Sequence, residues 1–170
     1  MSNYWAIAIG INQYQHFQPL LYAQWDAQAL WNYWVKEGGI PHTQCVLLTD
    51  QGATGAITPG SGMPGQQSSS PLPLKTTIEQ QLIDMGHHRL RMDDTLWCFF
   101  SGYGIHAQGK DYLMPLDGDP KNPAQTGISA ESFFAALGAF PTERIVVLLD
   151  LKRSPNHQGP DVRLGEDIAQ

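Results

Sequence analysis

Positive charge is scarce in this chain. Ten Lys and Arg stand against sixteen Asp and Glu, giving a formal charge of −6 with the six histidines neutral. Nucleic-acid binding needs a basic face, so no nucleic-acid partner is expected. An anionic membrane surface would on balance repel the chain. Long apolar runs are missing as well. No stretch approaches the ~18 residues that cross a bilayer, so no membrane insertion is expected. The opening "MSNYWAIAIGINQY" lacks the basic start and the apolar length of a signal peptide. Cysteine is limited to Cys45 and Cys98, each inside an apolar run, "QCVLLTD" and "LWCFFSG". That excludes a disulfide framework and predicts buried thiols in a reduced, cytoplasmic protein.

Apolar residues are not scarce. They make up 42% of 170 residues, enough for one domain with a real core. "YWAIAIGIN" (Tyr4 to Asn12) is a continuous apolar run of the kind a parallel strand buried on both faces requires. In "LYAQWDAQALWNYWVKEGGI", Tyr22, Trp25, Ala29, Leu30 and Trp34 recur at three- and four-residue steps. This predicts an amphipathic helix, ended by Gly38 and Gly39. "CVLLTD" (Cys45 to Asp50) reads as a second strand. A Gly-, Pro-, Ser- and Gln-rich stretch then fills 52–73 and reads as a flexible loop insert. Helical spacing returns over Leu74 to Leu90, with Ile78, Leu82 and Met85 on one face. Thr95 to Ser101 reads as the third strand, Asp111 to Asp117 as a short extended piece, Ser129 to Phe140 as a helix capped by Ser129, and Glu143 to Leu151 as the fourth core strand. Strands alternating with helices imply an α/β fold with a mostly parallel central sheet and helices on both faces. Residues 155–170 form a polar tail.

In such a fold, functional groups gather beyond the carboxyl ends of the strands. "SGYG" (Ser101 to Gly104) reads as the tight turn where the third strand stops, presenting Tyr103 to a cleft. "DLKRS" follows the fourth strand, with Asp150, Lys152 and Ser154. Elsewhere, "LDGDPKN" places Asp117 near Asp119, a pair that offers too few ligands for a dedicated calcium loop. His87 and His88 are adjacent on a helix and point about 100° apart, a poor geometry for one metal. No metal centre or cofactor is expected.

Six segments, in order, resemble the caspase–metacaspase clan of cysteine peptidases, in particular its bacterial orthocaspase branch. "AIAIGINQYQHFQPL" is similar to the clan's opening strand and loop, and "AQWDAQAL" to its Gly-Ala-x-x-Asp-Ala helix start. "VLLTDQGAT" resembles its Leu-Thr-Asp turn. "DDTLWCFFSGYG" and "DYLMPLD" resemble the strand ending Phe-Ser-Gly-His-Gly and the Tyr-Leu-x-Pro-x-Asp that follows. "RIVVLLDLKRS" resembles the strand ending Leu-Asp-x-Cys-Arg-Ser. The resemblance implies a caspase-like α/β/α sandwich over residues 1–154, corresponding to the large-subunit portion, without the clan's last two strands.

The resemblance also implies what is gone. The clan's dyad His falls at Tyr103 and its dyad Cys at Lys152. A phenol titrating near ~10 is a poor base at neutral pH, and a protonated ammonium cannot attack a carbonyl. The chain is therefore expected to be a catalytically inactive, pseudoenzyme form of the fold, acting as a binding, regulatory or scaffolding module. The alternative is a hydrolase cleaving after Arg or Lys with relocated residues, Ser154 and His106. The aspartates that pair with basic substrates in metacaspases match Asp26 and Asp150, the remnant of a basic-residue pocket that Lys152 stands near enough to fill. Some metacaspases bind calcium, for which Asp117 and Asp119 are the candidates. With no following strands, the apolar edge near 144–151 is expected to take a protein partner or a second copy. Four aromatic residues of the first helix, Trp25, Trp31, Tyr33 and Trp34, are further candidates for an interface.

Overall fold

The computed structural model describes residues 3–50 and 71–153. Six strands form one mixed sheet, with four α-helices around it. In chain order these are β1 (Tyr4–Gly10), α1 (Ala23–Lys36), β2 (Cys45–Thr49), α2 (Lys75–Asp84), β3 (Thr95–Ala107), β4 (Lys110–Leu113), α3 (Pro123–Thr126), β5 (Ile128–Ser129), α4 (Ala130–Gly138) and β6 (Arg144–Arg153). β1 lies between β2 and β3, parallel to both, and β6 runs parallel to β3 on its other side. The four core strands read from the sequence are therefore present and parallel. The mostly parallel sheet needs correction at one end, where β4 pairs antiparallel with β3 and β5 with β4.

Alternation along the strands separates two cores. Ile7, Ile9, Leu96, Cys98 and Phe100 belong to the larger one, with Ile78, Leu82 and Met85 of the α2 region and Phe133 and Leu137 of α4. Ala6, Ala8 and Cys45 meet α1 through Ala27 and Trp34 on the opposite face. The predicted α2 face is as expected, although the helix ends at Asp84 and a π turn carries Met85–Arg89. Ser129 caps α4, its hydroxyl accepting from Ser132 N at 3.0 Å. Of the predicted loop insert, only Pro71–Pro73 is described. Pro73 is buried and its carbonyl accepts from Leu116 N at 3.0 Å, so this end is docked. The rest of the loop, Ser154 and the polar tail lie outside the described residues.

The stripe on α1 differs from the expected one. Tyr22 and Trp25 are exposed, and the buried residues are Ala23, Gln24, Ala27 and Trp34. The helix sits directly on Gly10, where an added Cβ would lie 2.2 Å from the Ala23 carbonyl oxygen. Contact that close selects the alanine face in the first two turns and turns Tyr22 and Trp25 outward.

The third strand runs six residues past its expected end. "SGYG" is not a turn: Ser101 to Gly104 pair with Asp150 to Arg153 of β6 as extended strand. The chain reverses later, at Gln108 and Gly109, whose φ values of 54° and 74° are those of a two-residue hairpin.

Candidate functional site

The carboxyl ends of β1, β2, β3 and β6 carry the residues the sequence singles out. Register alone brings together the two residues that the resemblance aligns with a dyad: Tyr103 on β3 faces Lys152 on β6 as its cross-strand partner. Ser101 faces Asp150 in the same way, and its hydroxyl donates to Asp150 Oδ2 at 3.2 Å. All four side chains share one sheet face, because residues two apart on a strand point the same way.

Tyr103 does not reach into an open cleft. It is 3% exposed. Its ring stacks on Phe17, with centroids 4.6 Å apart and planes 21° from parallel, and meets Tyr14 edge-on at 5.2 Å. Its hydroxyl donates to the Gln18 carbonyl at 3.1 Å. The Tyr103 hydroxyl is thus spent on a backbone carbonyl and not on a carboxylate. Burial raises its phenol above the ordinary value, which weakens it further as a source of negative charge at neutral pH.

Tyr14 locks this plug from beneath. Its hydroxyl accepts from Tyr103 N at 2.9 Å and donates to the Met114 carbonyl at 3.2 Å. Gly102 makes room for it, since a Cβ there would lie 2.2 Å from the Tyr14 oxygen. Burial pushes the Tyr14 phenol far up, and the Asp50 charge adds to the effect. Asp50 in turn accepts from Asn12 N at 3.1 Å and Gln13 N at 2.8 Å, which fixes where the loop leaves β1. Asn12 continues the chain of contacts, its Oδ1 accepting from Gln24 N at 3.0 Å at the start of α1. Sequence reading missed Tyr14, Phe17 and Gln18. The available signal was a pair of aromatics three apart in the otherwise polar "NQYQHFQ" just past a strand end.

The remaining candidates are dispersed. Asp26 is exposed on the first turn of α1. Lys152 is exposed and, among the described residues, makes no ion pair with Asp26 or Asp150, so it does not fill the expected acidic pocket. His106 alternates to the face opposite Tyr103 and sits 2.9 Å from Asp111 Oδ1 across the hairpin. Ser154, its candidate partner, lies outside the described residues. Asp117 and Asp119 are both engaged by neighbouring N–H groups. Asp117 accepts from Lys75 N at 2.9 Å at the start of α2, and Asp119 from Lys121 N at 2.8 Å and Asn122 Nδ2 at 2.9 Å. Those bonds hold the Asp119 carboxyl below its usual range, the Lys121 amide contributing most. No group of three or more His, Cys, Asp or Glu able to hold a metal occurs among the described residues.

The two thiols are poor nucleophiles where they stand. Burial alone pushes Cys98 up to about 12 and Cys45 up to about 11. A groove of about 360 Å³ lies between the β3–β4 hairpin and residues 120–125, lined by Ala107, Tyr112 and Lys121 among others. Neither Tyr103, Asp150 nor Lys152 lines it. No helix among the described residues is long and apolar enough to cross a membrane.

No protein-family description matches the sequence, and no curated protein is significantly similar to it. Among solved structures, the chain is similar to protein GSU0716 from Geobacter sulfurreducens, a structural-genomics target, at a TM-score of 0.58 and 14% identity. The match covers 86% of this chain and 48% of that one, so the chain spans about half the length of its solved neighbour. At this identity the likeness speaks for the fold: an α/β chain built around a mixed sheet.

Proposed function

We propose that this chain is a catalytically inactive relative of the caspase–metacaspase clan, a pseudoprotease that serves as a binding, regulatory or scaffolding module in the cytoplasm. One observation carries the reading. The residue at the general-base position, Tyr103, is built into the core, its ring between Tyr14 and Phe17 and its hydroxyl spent on a backbone carbonyl. A group held this way neither takes a proton from a nucleophile nor leaves space for a substrate carbonyl. Lys152 beside it, at the nucleophile position, supports the same conclusion from a second strand. Asp26 and Asp150 stand as remnants of a pocket for basic side chains, and the edge of β6 as the place where a protein partner docks.

The test is a peptidase assay on the purified full chain with fluorogenic peptides ending in Arg or Lys. No turnover above buffer is expected, with or without calcium. Turnover that disappears in Ser154→Ala would overturn the proposal in favour of a relocated serine nucleophile.

A further inference from the structure

The groove of about 360 Å³ between the β3–β4 hairpin and residues 120–125 has a chemistry of its own. Liquid water would fill such a volume with about a dozen molecules, more than an ordinary packing defect holds. It lies near the small end of the ~300–1,000 Å³ range of small-molecule sites. Its charge runs against that of the chain. The chain carries a net −6, yet the only charged residue lining the groove is Lys121. The Lys121 ammonium makes no ion pair among the described residues. Carboxylates of the flanking segments are engaged elsewhere. Asp111 meets His106, Asp119 accepts from Lys121 N and Asn122 Nδ2, and Glu131 pairs with Lys110. Lys75 brings a second ammonium to one wall, donating to the carbonyl of Gln125 at 2.8 Å.

Two lining residues are arranged for a ligand rather than for packing. Tyr112 is 7% exposed, and its hydroxyl makes no hydrogen bond among the described residues. A buried phenol ordinarily finds a partner. Gln108 is the one non-glycine with a left-handed φ, 54°, among the described residues. The hairpin calls for that conformation, and Asn or Gly would meet it at least cost. Gln108 instead carries a longer carboxamide to the groove. Pro120 and Pro123 supply apolar walls. Thr126 braces this segment: its hydroxyl accepts from Asp119 N at 2.9 Å and donates to the Asn122 carbonyl at 2.8 Å.

We propose that the groove binds a small organic monocarboxylate with a flat apolar body, of the size of benzoate. Lys121 takes the carboxylate, Tyr112 and the Gln108 and Gln125 carboxamides supply hydrogen bonds, and the two prolines hold the apolar part. One ammonium with neutral donors matches a single negative charge, whereas a phosphate dianion calls for more cations. Tyr103, Asp150 and Lys152 do not line the groove, so the site goes beyond the pseudoprotease reading and stands or falls separately from it.

The probe is benzoate, titrated into the isotope-labelled full chain and followed by amide NMR shifts. Saturable shifts at Gln108, Lys121 and Gln125 are expected, with a Kd of about 1 mM. Benzamide, the same shape without the charge, should bind about fivefold more weakly. Lys121→Gln should weaken benzoate about fivefold and leave benzamide unchanged. Tyr112→Phe should weaken both by about threefold. The amide spectrum of each variant reports whether the fold is retained. Lys121 is exposed, so its variant tests the proposal even where Tyr112→Phe disturbs the core. No saturable shift at the groove below about 20 mM, shifts centred on other residues, or equal binding of benzamide would each overturn the proposal. So would benzoate binding indifferent to Lys121→Gln, or to Tyr112→Phe in a folded variant, or inorganic phosphate bound there as tightly as benzoate.

Discussion

The two ends of the sheet are held by opposite chemistry. At the amino end, Asp94 is 1% exposed and takes four hydrogen bonds: from Asn3 N and Nδ2 at 2.8 and 3.3 Å, from Trp5 Nε1 at 3.1 Å and from Arg91 N at 3.0 Å. Its backbone carbonyl takes a further bond from the buried Thr142 hydroxyl, which ties in the segment leading to β6. At the carboxyl end the Tyr14 and Tyr103 phenols are buried along with the uncharged Asn12, Thr49 and Ser101, and the mass is aromatic. Burial would raise the Asp94 carboxyl, but the bonds from Asn3, Arg91 and Trp5 outweigh it and hold the group below its ordinary value. Burial raises both phenols. One end is thus clamped by a buried charge, and the other is closed by neutral rings on a loop that the half-buried Asp50 anchors. In an α/β fold the carboxyl end is where ligands bind; here the rings of Tyr14, Phe17 and Tyr103 pack against one another at the end of β3.

Removing the charge should do the most damage. Asp94→Ala orphans several buried donors and is expected to cost about 3 kcal/mol or more of folding stability, measured by urea unfolding. A carboxyl whose folded value is depressed contributes its stability in full above the unfolded value of about 3.9. That stability falls away as pH drops through the lower folded value. Acid unfolding should therefore depend on this residue, and Asp94→Asn should flatten the acid limb of the stability profile. If the wild-type and Asn profiles run parallel below pH ~4, the charge clamp is not what holds the amino end.

At the other end, Gly102→Ala forces a methyl into the Tyr14 hydroxyl and should cost about 2–3 kcal/mol. Tyr14→Phe leaves the Tyr103 amide and the Met114 carbonyl without their shared partner, a loss of about 1–2 kcal/mol. Combining Gly102→Ala with Tyr14→Phe should cost less than the sum of the two, because the second change removes the oxygen the first one strikes. Smallest is Tyr103→Phe, which keeps the stack on Phe17 and loses one hydrogen bond, at about 1 kcal/mol. A much larger cost for Tyr103→Phe would mean that the hydroxyl, not the ring, closes the site. None of these three should steepen the acid limb, since phenols are neutral throughout that range.

Much of this architecture is legible along the chain. Unbroken apolar runs at Tyr4, Cys45, Thr95 and Glu143 mark the four parallel strands; β1, covered on both faces, needs no polar positions. Ile78, Leu82 and Met85 mark the buried face of α2, and Ser129 marks the start of α4. The failures have a common cause. On α1, counting aromatics suggests a stripe through Tyr22 and Trp25, but Gly10 admits only the alanine face. At "SGYG", two glycines read as a turn, yet they serve to let Tyr14 and Leu151 approach an extended strand. The candidate site divides the same way. Tyr103, Lys152 and Asp150 stand out because they follow directly on apolar runs. Tyr14, Phe17 and Gln18 do not, because their role exists only once the loop after β1 has folded across the end of β3.

Local order thus fixes which segments are strands and helices and which residues reach the carboxyl edge, since burial on one or both faces writes its period into neighbouring positions. What those residues meet there is set by contacts spanning most of the chain. The bond from Tyr103 N to Tyr14 joins residues 89 apart, and that from Tyr14 to Met114 joins residues 100 apart. No pattern within a strand encodes such pairs. Closing the sheet decides them, by bringing one loop of aromatics over a strand end that the chain's own order leaves open.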